Sequence, residues 1–174
     1  MIFNVPGLGG SCEPHWQTQW ERAFGFARIV QDGWERAVCD EWISRIDSVL
    51  RDVDTEEVVL TGHSLGCSAI VAWAEKYQRR IKGALLVAPS DTEMLSFPTV
   101  AVGFAPMPKY KLPFPSIVAV SSNDEFVSLE RAEYFSKCWG SRFVEIGALG
   151  HVNSASNLGV WREGLDLLEE LRRI

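Results

Sequence analysis

Val58-Val59-Leu60-Thr61-Gly62-His63-Ser64-Leu65-Gly66 is the stretch on which the reading of this chain turns. An apolar, β-branched run leads into Gly-x-Ser-x-Gly, and the residues from Leu65 to Tyr77 read as a helix. The pentapeptide by itself arises often by chance. Between a strand and a helix it describes a nucleophile elbow, a sharp, strained turn that lifts a serine hydroxyl clear of a sheet. Bulky side chains at Gly62 or Gly66 would collide across such a turn. Ser64 also opens a helix, where backbone N–H groups and the helix dipole favour developing negative charge. The bland alternative is a glycine-rich strand-to-helix turn with an idle serine.

Outward from this stretch, short apolar runs alternate with longer helical segments. Strands are expected at residues 2–5, 27–30, 58–60, 83–88, 116–120 and 142–146. Helices are expected over 14–24, 37–50, 65–77, 129–139 and 158–173. Such alternation implies βαβ units and a mostly parallel sheet. Near-continuous apolar runs fit strands buried on both faces. Residues 89–115 hold six of the eight prolines and show no helical period, so a long irregular loop is expected there. Its apolar residues, among them Phe97, Phe104 and Leu112, argue against disorder.

At 174 residues the chain is expected to form one domain, residues 1–174. That length buries enough surface to fold without disulfides or metal. With 47% hydrophobic and 23% charged residues, intrinsic disorder is excluded. Lys+Arg number 17 and Asp+Glu 23, a net charge of −6, which disfavours nucleic acid as a partner. The basic pairs Arg79-Arg80 and Arg172-Arg173 fall near predicted helix ends, where cations suit the dipole. The longest weakly charged stretch, residues 94–108, is too short for a spanning helix and is broken by Pro98 and Pro106, so no membrane segment is expected. The N-terminus has no basic region of the signal-peptide kind. Cys12, Cys39, Cys67 and Cys138 are scattered without a C-x-x-C pair, which points to free thiols in a cytoplasmic protein and away from a metal site.

A serine nucleophile needs a base, usually a histidine held by a carboxylate. There are three histidines. His63 adjoins Ser64 and is expected to point away from its hydroxyl, as packing. His15 opens an amphipathic helix and reads as structural or at the rim of a pocket. His151 follows the last expected strand in Gly147-Ala148-Leu149-Gly150-His151, beyond a strand's C-terminal end, where open α/β sheets bind ligands. It is the candidate base. The acid should lie between serine and histidine in the chain. Asp124, in the turn Ser121-Ser122-Asn123-Asp124, fits best, with Asp91 and Glu125 as alternatives. Each could instead be a turn residue bonding its own backbone. The oxyanion hole needs two backbone N–H donors. Leu65, after the nucleophile, is one. The loop Pro6-Gly7-Leu8-Gly9-Gly10 supplies the other, Leu8 first and Gly9 next. The same loop lacks the spacing of a phosphate cradle.

Four segments carry a family resemblance: Val5-Pro6-Gly7-Leu8-Gly9-Gly10-Ser11, Gly62-His63-Ser64-Leu65-Gly66, Ser121-Ser122-Asn123-Asp124 and Gly150-His151-Val152-Asn153. With Gly159-Val160-Trp161 and the following helix, nearly the whole chain resembles the small α/β-hydrolases related to retinoblastoma-binding protein nine, common in bacteria. The resemblance implies Ser64 as nucleophile, Asp124 as acid and His151 as base. It also implies a compact α/β-hydrolase: a three-layer sandwich on a six-stranded, mostly parallel sheet, without the first two strands of the larger sheet and without a cap domain. That family commonly has proline after the acid. Glu125 stands there in this chain, which keeps Glu125 open.

The expected function is a serine hydrolase acting on a small-molecule acyl substrate, an ester first, with amide or thioester open. No metal or organic cofactor is expected, and oligomeric state is not legible. Residues 89–115 are expected to wall the pocket. Trp16 and Trp20 are expected in the core rather than lining the pocket. The rival is a hydrolase-fold protein that mainly binds a partner protein. A second rival is an acyltransferase or thioesterase using the same three residues.

Overall fold

The computed structural model describes all residues, 1–174, and the decisive strand runs on into the motif itself. In chain order the elements are β1 (Ile2–Val5), α1 (Trp16–Phe24), β2 (Ala27–Arg28), α2 (Cys39–Leu50), β3 (Val59–His63), α3 (Leu65–Tyr77), β4 (Gly83–Val87), β5 (Ser116–Val120), α4 (Leu129–Trp139), β6 (Arg142–Glu145) and α5 (Arg162–Arg172). The six strands form one sheet in the order β2-β1-β3-β4-β5-β6. Every neighbouring pair is parallel, more uniform than the mostly parallel sheet expected. The register aligns Val5 with Gly62, His63 with Val87, and Val87 with Ala119. The loops that leave β1, β3, β4, β5 and β6 therefore emerge along one edge of the sheet.

Alternate strand residues feed two cores, as a period of two requires. Leu60, Leu86 and Val118 pack with Trp42, Ile70, Trp73 and Phe135 beneath α2, α3 and α4. Val59, Leu85 and Ile117 pack with Trp16, Trp20 and Leu168 beneath α1 and α5. The result is three layers, helix on sheet on helix. Trp16 and Trp20 are fully buried and do not line the main cavity.

Three boundaries differ from the sequence expectation for tertiary reasons. The edge strand β2 has only two residues, because past Arg28 a single backbone bond, Ile29 N–H to Asn4 O at 2.9 Å, continues its pairing. Helix α2 starts at Cys39 rather than 37, because Ala37 and Val38 pair with Val102 of the long loop. Helix α5 starts at Arg162 rather than 158. Trp161 sits at φ +34° with its indole folded over Gly164, where a Cβ would lie 2.1 Å from the ring. That indole stacks on Trp20 with ring centroids 6.0 Å apart. The last core thus depends on a backbone turn that no helical period foretells.

The basic pair Arg79-Arg80 has a specific task. Arg79 Nη2 donates to the Leu50 carbonyl at 2.9 Å and Nη1 to the Asp47 carboxylate at 3.1 Å, capping the end of α2. Residues 89–115 are anchored rather than loose. Phe104, Met107, Leu112 and Phe114 join the larger core, and Thr92 donates to the Phe104 carbonyl.

The glycine positions lead to a test. At Gly66 an added Cβ would stand 2.0 Å from the Val5 carbonyl oxygen, a rigid backbone atom. Gly147 has φ +85° but nothing within 4 Å. Gly66→Ala should therefore lose more than about 4 kcal/mol of stability or fail to fold, and Gly147→Ala should lose only about 1–2 kcal/mol. Urea unfolding of both variants against the parent chain checks the contrast.

Candidate active site

The elbow is visible in the backbone. Ser64 has φ 55° and ψ −124°, a strained conformation for a residue with a side chain. Its N–H donates to the Val87 carbonyl at 3.0 Å, which pins the turn to β4. Gly62 is needed across the turn, since a Cβ there would lie 3.1 Å from Cys67 N and Cα. The collision at Gly66 is different from the one expected: it is with the Val5 and Pro6 carbonyls at the end of β1, not across the turn.

Ser64 Oγ lies 2.8 Å from His151 Nε2, and His151 Nδ1 lies 2.9 Å from both carboxylate oxygens of Asp124. The Asp124 side chain is fully shielded from solvent and that of His151 is 8% exposed. Phe126 covers the imidazole with ring centroids 4.4 Å apart. The two alternative acids stand elsewhere. Asp91 is buried and holds Arg131 through Oδ2 at 2.6 Å and Oδ1 at 3.1 Å. Glu125 is exposed.

The two strand-end turns that carry Asp124 and His151 are sewn together. Leu149 N–H donates to Ser121 Oγ at 2.8 Å and Gly150 N–H to Asn123 Oδ1 at 2.7 Å. Beyond them, Trp16 Nε1 donates to the Val152 carbonyl at 2.9 Å. These supports had no sequence signal beyond the polar character of the turn.

The oxyanion candidates are backbone groups at facing loops. Leu65 opens α3, where first-turn N–H groups lack intrahelical partners. A Cβ on Gly7 would lie 2.9 Å from Ser64 Cβ and 3.3 Å from Leu65 N, so the first loop rests on the elbow. Within that loop Gly9 N–H is already given to the Trp34 carbonyl and Gly10 N–H to the Gly7 carbonyl. The Leu8 N–H has no protein partner. A cavity of about 580 Å³ opens over the serine, lined by Leu8, Leu65, Met94, Phe97, Phe126 and His151 among others. Residues 90–101 of the long loop form one side of it. No three His, Cys, Asp or Glu side chains are grouped to hold a metal ion. No helix is long and apolar enough to cross a membrane. Burial pushes the Cys67 thiol, three residues past Ser64, far up, so it stays protonated.

All three histidines meet here. His63 Nε2 donates to the His151 carbonyl at 2.8 Å, so His63 holds the main chain of that loop. His15 caps α1 by accepting from Gln17 N–H and packs edge-on against His63, ring centroids 4.6 Å apart. Burial lowers the His15 pKa to about 3, helped by Arg28 and His151. Burial also pushes His63 well below 6.5, its neighbours His15 and His151 adding to this and its bond to the His151 carbonyl opposing it. Both imidazoles therefore stay neutral in the fold while the unfolded chain protonates them below about pH 6.5. Stability should fall as pH drops below about 6.5, the His15 share continuing toward about 3 and the His63 share acting in the same direction. His15→Asn keeps a helix-capping side chain and should flatten that slope, as denaturation followed across pH 4 to 7 would read, roughly.

The sequence matches the serine hydrolase family over residues 2–170. Among solved structures, a YdeN-like hydrolase from Pectobacterium atrosepticum is 34% identical, with a TM-score of 0.86 over 99% of this chain and 90% of that one. The ydeN gene product of B. subtilis shares the fold at 18% identity, TM-score 0.81, covering 99% and 98% of the two chains. Est1E from Butyrivibrio proteoclasticus, with ferulic acid bound, shares it at 14% identity, TM-score 0.70, covering 99% and 86%. No curated protein sequence matches the chain. A family match over nearly every residue, on a sheet whose strand-end loops bring a strained serine, a histidine and an aspartate together, makes this chain a member of the serine hydrolase family within the α/β-hydrolase superfamily.

Proposed function

We propose that the chain is an esterase in which Ser64 is the nucleophile, His151 the general base and Asp124 the residue that orients it. The observation that carries this reading is the Asp124–His151–Ser64 line of hydrogen bonds at 2.9 and 2.8 Å, ending at a serine on a strained elbow. Its kinship within the family is read as the group related to retinoblastoma-binding protein nine, supported by the four segments above. The four free thiols suit a reducing cytoplasm.

The steps follow from the geometry. The Ser64 proton passes to His151 Nε2 as Oγ attacks the carbonyl carbon. Asp124, accepting from Nδ1, steadies the imidazolium. The tetrahedral oxyanion accepts from the N–H groups of Leu65 and Leu8. Collapse expels the alcohol, which takes the proton from Nε2. Water then attacks the acyl-enzyme, gives its proton to Nε2, and the acid leaves as Ser64 regains its own.

The lining supports a neutral, apolar acyl group. Leu8, Leu65, Met94, Phe97 and Phe126 face the cavity, no lysine or arginine does, and both extra histidines are neutral. A polyanionic carrier such as coenzyme A would meet a chain of net charge −6 with no cation at the pocket.

Purified protein should hydrolyse p-nitrophenyl esters of short and medium fatty acids and should turn over the matching acyl-coenzyme A thioesters far more slowly. Ser64→Ala should abolish this activity, and Asp124→Asn should lower kcat by about 10⁴-fold. Glu125→Gln should leave it unchanged. Full activity in folded Ser64→Ala would overturn the nucleophile. Faster thioester than ester turnover would move the substrate class to thioesters.

A further inference from the structure

Ser90 Oγ stands 2.8 Å from Ser64 Oγ, and no motif points to it. Ser90 is 6% exposed and lines the cavity. It is carried on a rigid turn. Ala88, two residues earlier, holds φ +47°, a left-handed backbone that a side chain disfavours, and its N–H donates to the Ala119 carbonyl at 2.9 Å. Asp91, the next residue, gives its N–H to the Phe126 carbonyl at 2.9 Å and its carboxylate to Arg131 at 2.6 and 3.1 Å. Two strained backbones at adjacent strand ends, Ser64 after β3 and Ala88 after β4, thus turn two hydroxyls toward each other.

With Asp124 and His151 in the roles proposed above, the proton count assigns the donor. An ionised Asp124 only accepts, so His151 Nδ1 carries the proton between them. A neutral imidazole then has a bare Nε2, which accepts the single proton of Ser64. The contact between the two hydroxyls is left to the Ser90 O–H, which donates to Ser64 Oγ.

We propose that Ser90 is a positioning residue for the nucleophile. Its O–H holds Ser64 Oγ in the rotamer that faces His151, and it donates to the negative charge that grows on Oγ as the proton leaves for Nε2. No bond forms to Ser90, and the one proton that moves is that of Ser64. A donor to a charged oxygen is roughly twice as strong as one to a neutral oxygen. The contact therefore tightens between ground state and transition state, and its loss belongs in kcat rather than KM. This inference rests on the triad reading of Ser64 and His151.

The test compares wild type, Ser64→Ala, Ser90→Ala, Ser90→Thr and Ser90→Cys for the rate of labelling by a fluorophosphonate and for kcat and KM on a p-nitrophenyl ester. Circular dichroism and the thermal midpoint establish that each is folded. Ser90→Ala should label and turn over about tenfold more slowly or worse, with KM unchanged. Ser90→Thr keeps the hydroxyl and should recover most of the rate. Ser90→Cys is close to serine in size but a weak donor, so it should stay slow on an intact fold. It carries the comparison if Ser90→Ala does not fold. Wild-type labelling by Ser90→Ala or Ser90→Cys would overturn the proposal, as would a loss confined to KM or a Thr variant as slow as Ala. Unlabelled wild type, or equal labelling of Ser64→Ala, would instead overturn the triad reading, and this inference with it.

Discussion

The first turn of α3 lies against the carbonyl end of β1, and the site is built around that contact. The Cα of Gly66 is so close to the Val5 and Pro6 carbonyls that no side chain fits between. Seating the helix there forces the chain to reverse within one residue, which puts Ser64 at a positive φ with its hydroxyl raised above the sheet. The same contact brings Gly7 onto the elbow, and Leu8 and Leu65 line one cavity. The parallel sheet supplies the rest of the alignment, because its register ends β1, β3, β4 and β5 at a common edge.

Around that contact, the smaller core governs the histidine loop. Trp16 and Trp20 bury their rings beneath α1 while their indole N–H groups reach the carbonyls of Val152 and Val160. His63 holds the His151 carbonyl from below. The loop that presents His151 is therefore fixed by groups from α1 and β3, distant in sequence. Burying His15 and His63 as neutral imidazoles is the electrostatic counterpart of this support, since charged forms would meet little solvent there.

The long proline-rich loop serves on both sides. Its later half gives Phe104, Met107, Leu112 and Phe114 to the larger core, while its earlier half walls the cavity. Met107 N–H of the later half donates to Glu93 of the earlier half, and Arg131 of α4 pairs with Asp91 and Glu93, its guanidinium 4.5 Å from the Phe135 ring centroid. Asp91 is thereby committed to anchoring the loop, and is too well paired to serve His151.

Alternation of apolar runs with helical periods was enough, on sequence alone, for six strands, five helices and the elbow, because those patterns arise from burial on a pleat and on a helix face. Several boundaries matched to the residue, as for α3 and α4. The sequence also singled out Ser64, His151 and three acids for the site. Which acid reaches the imidazole was decided only by tertiary structure, since the choice depends on Arg131 claiming Asp91 and on β5 and β6 placing two turns side by side. The start of α5, the free N–H of Leu8 and the approach of Ser90 to Ser64 were likewise tertiary. Each depends on groups from separate strands meeting through space, and a one-dimensional period carries no record of such a meeting.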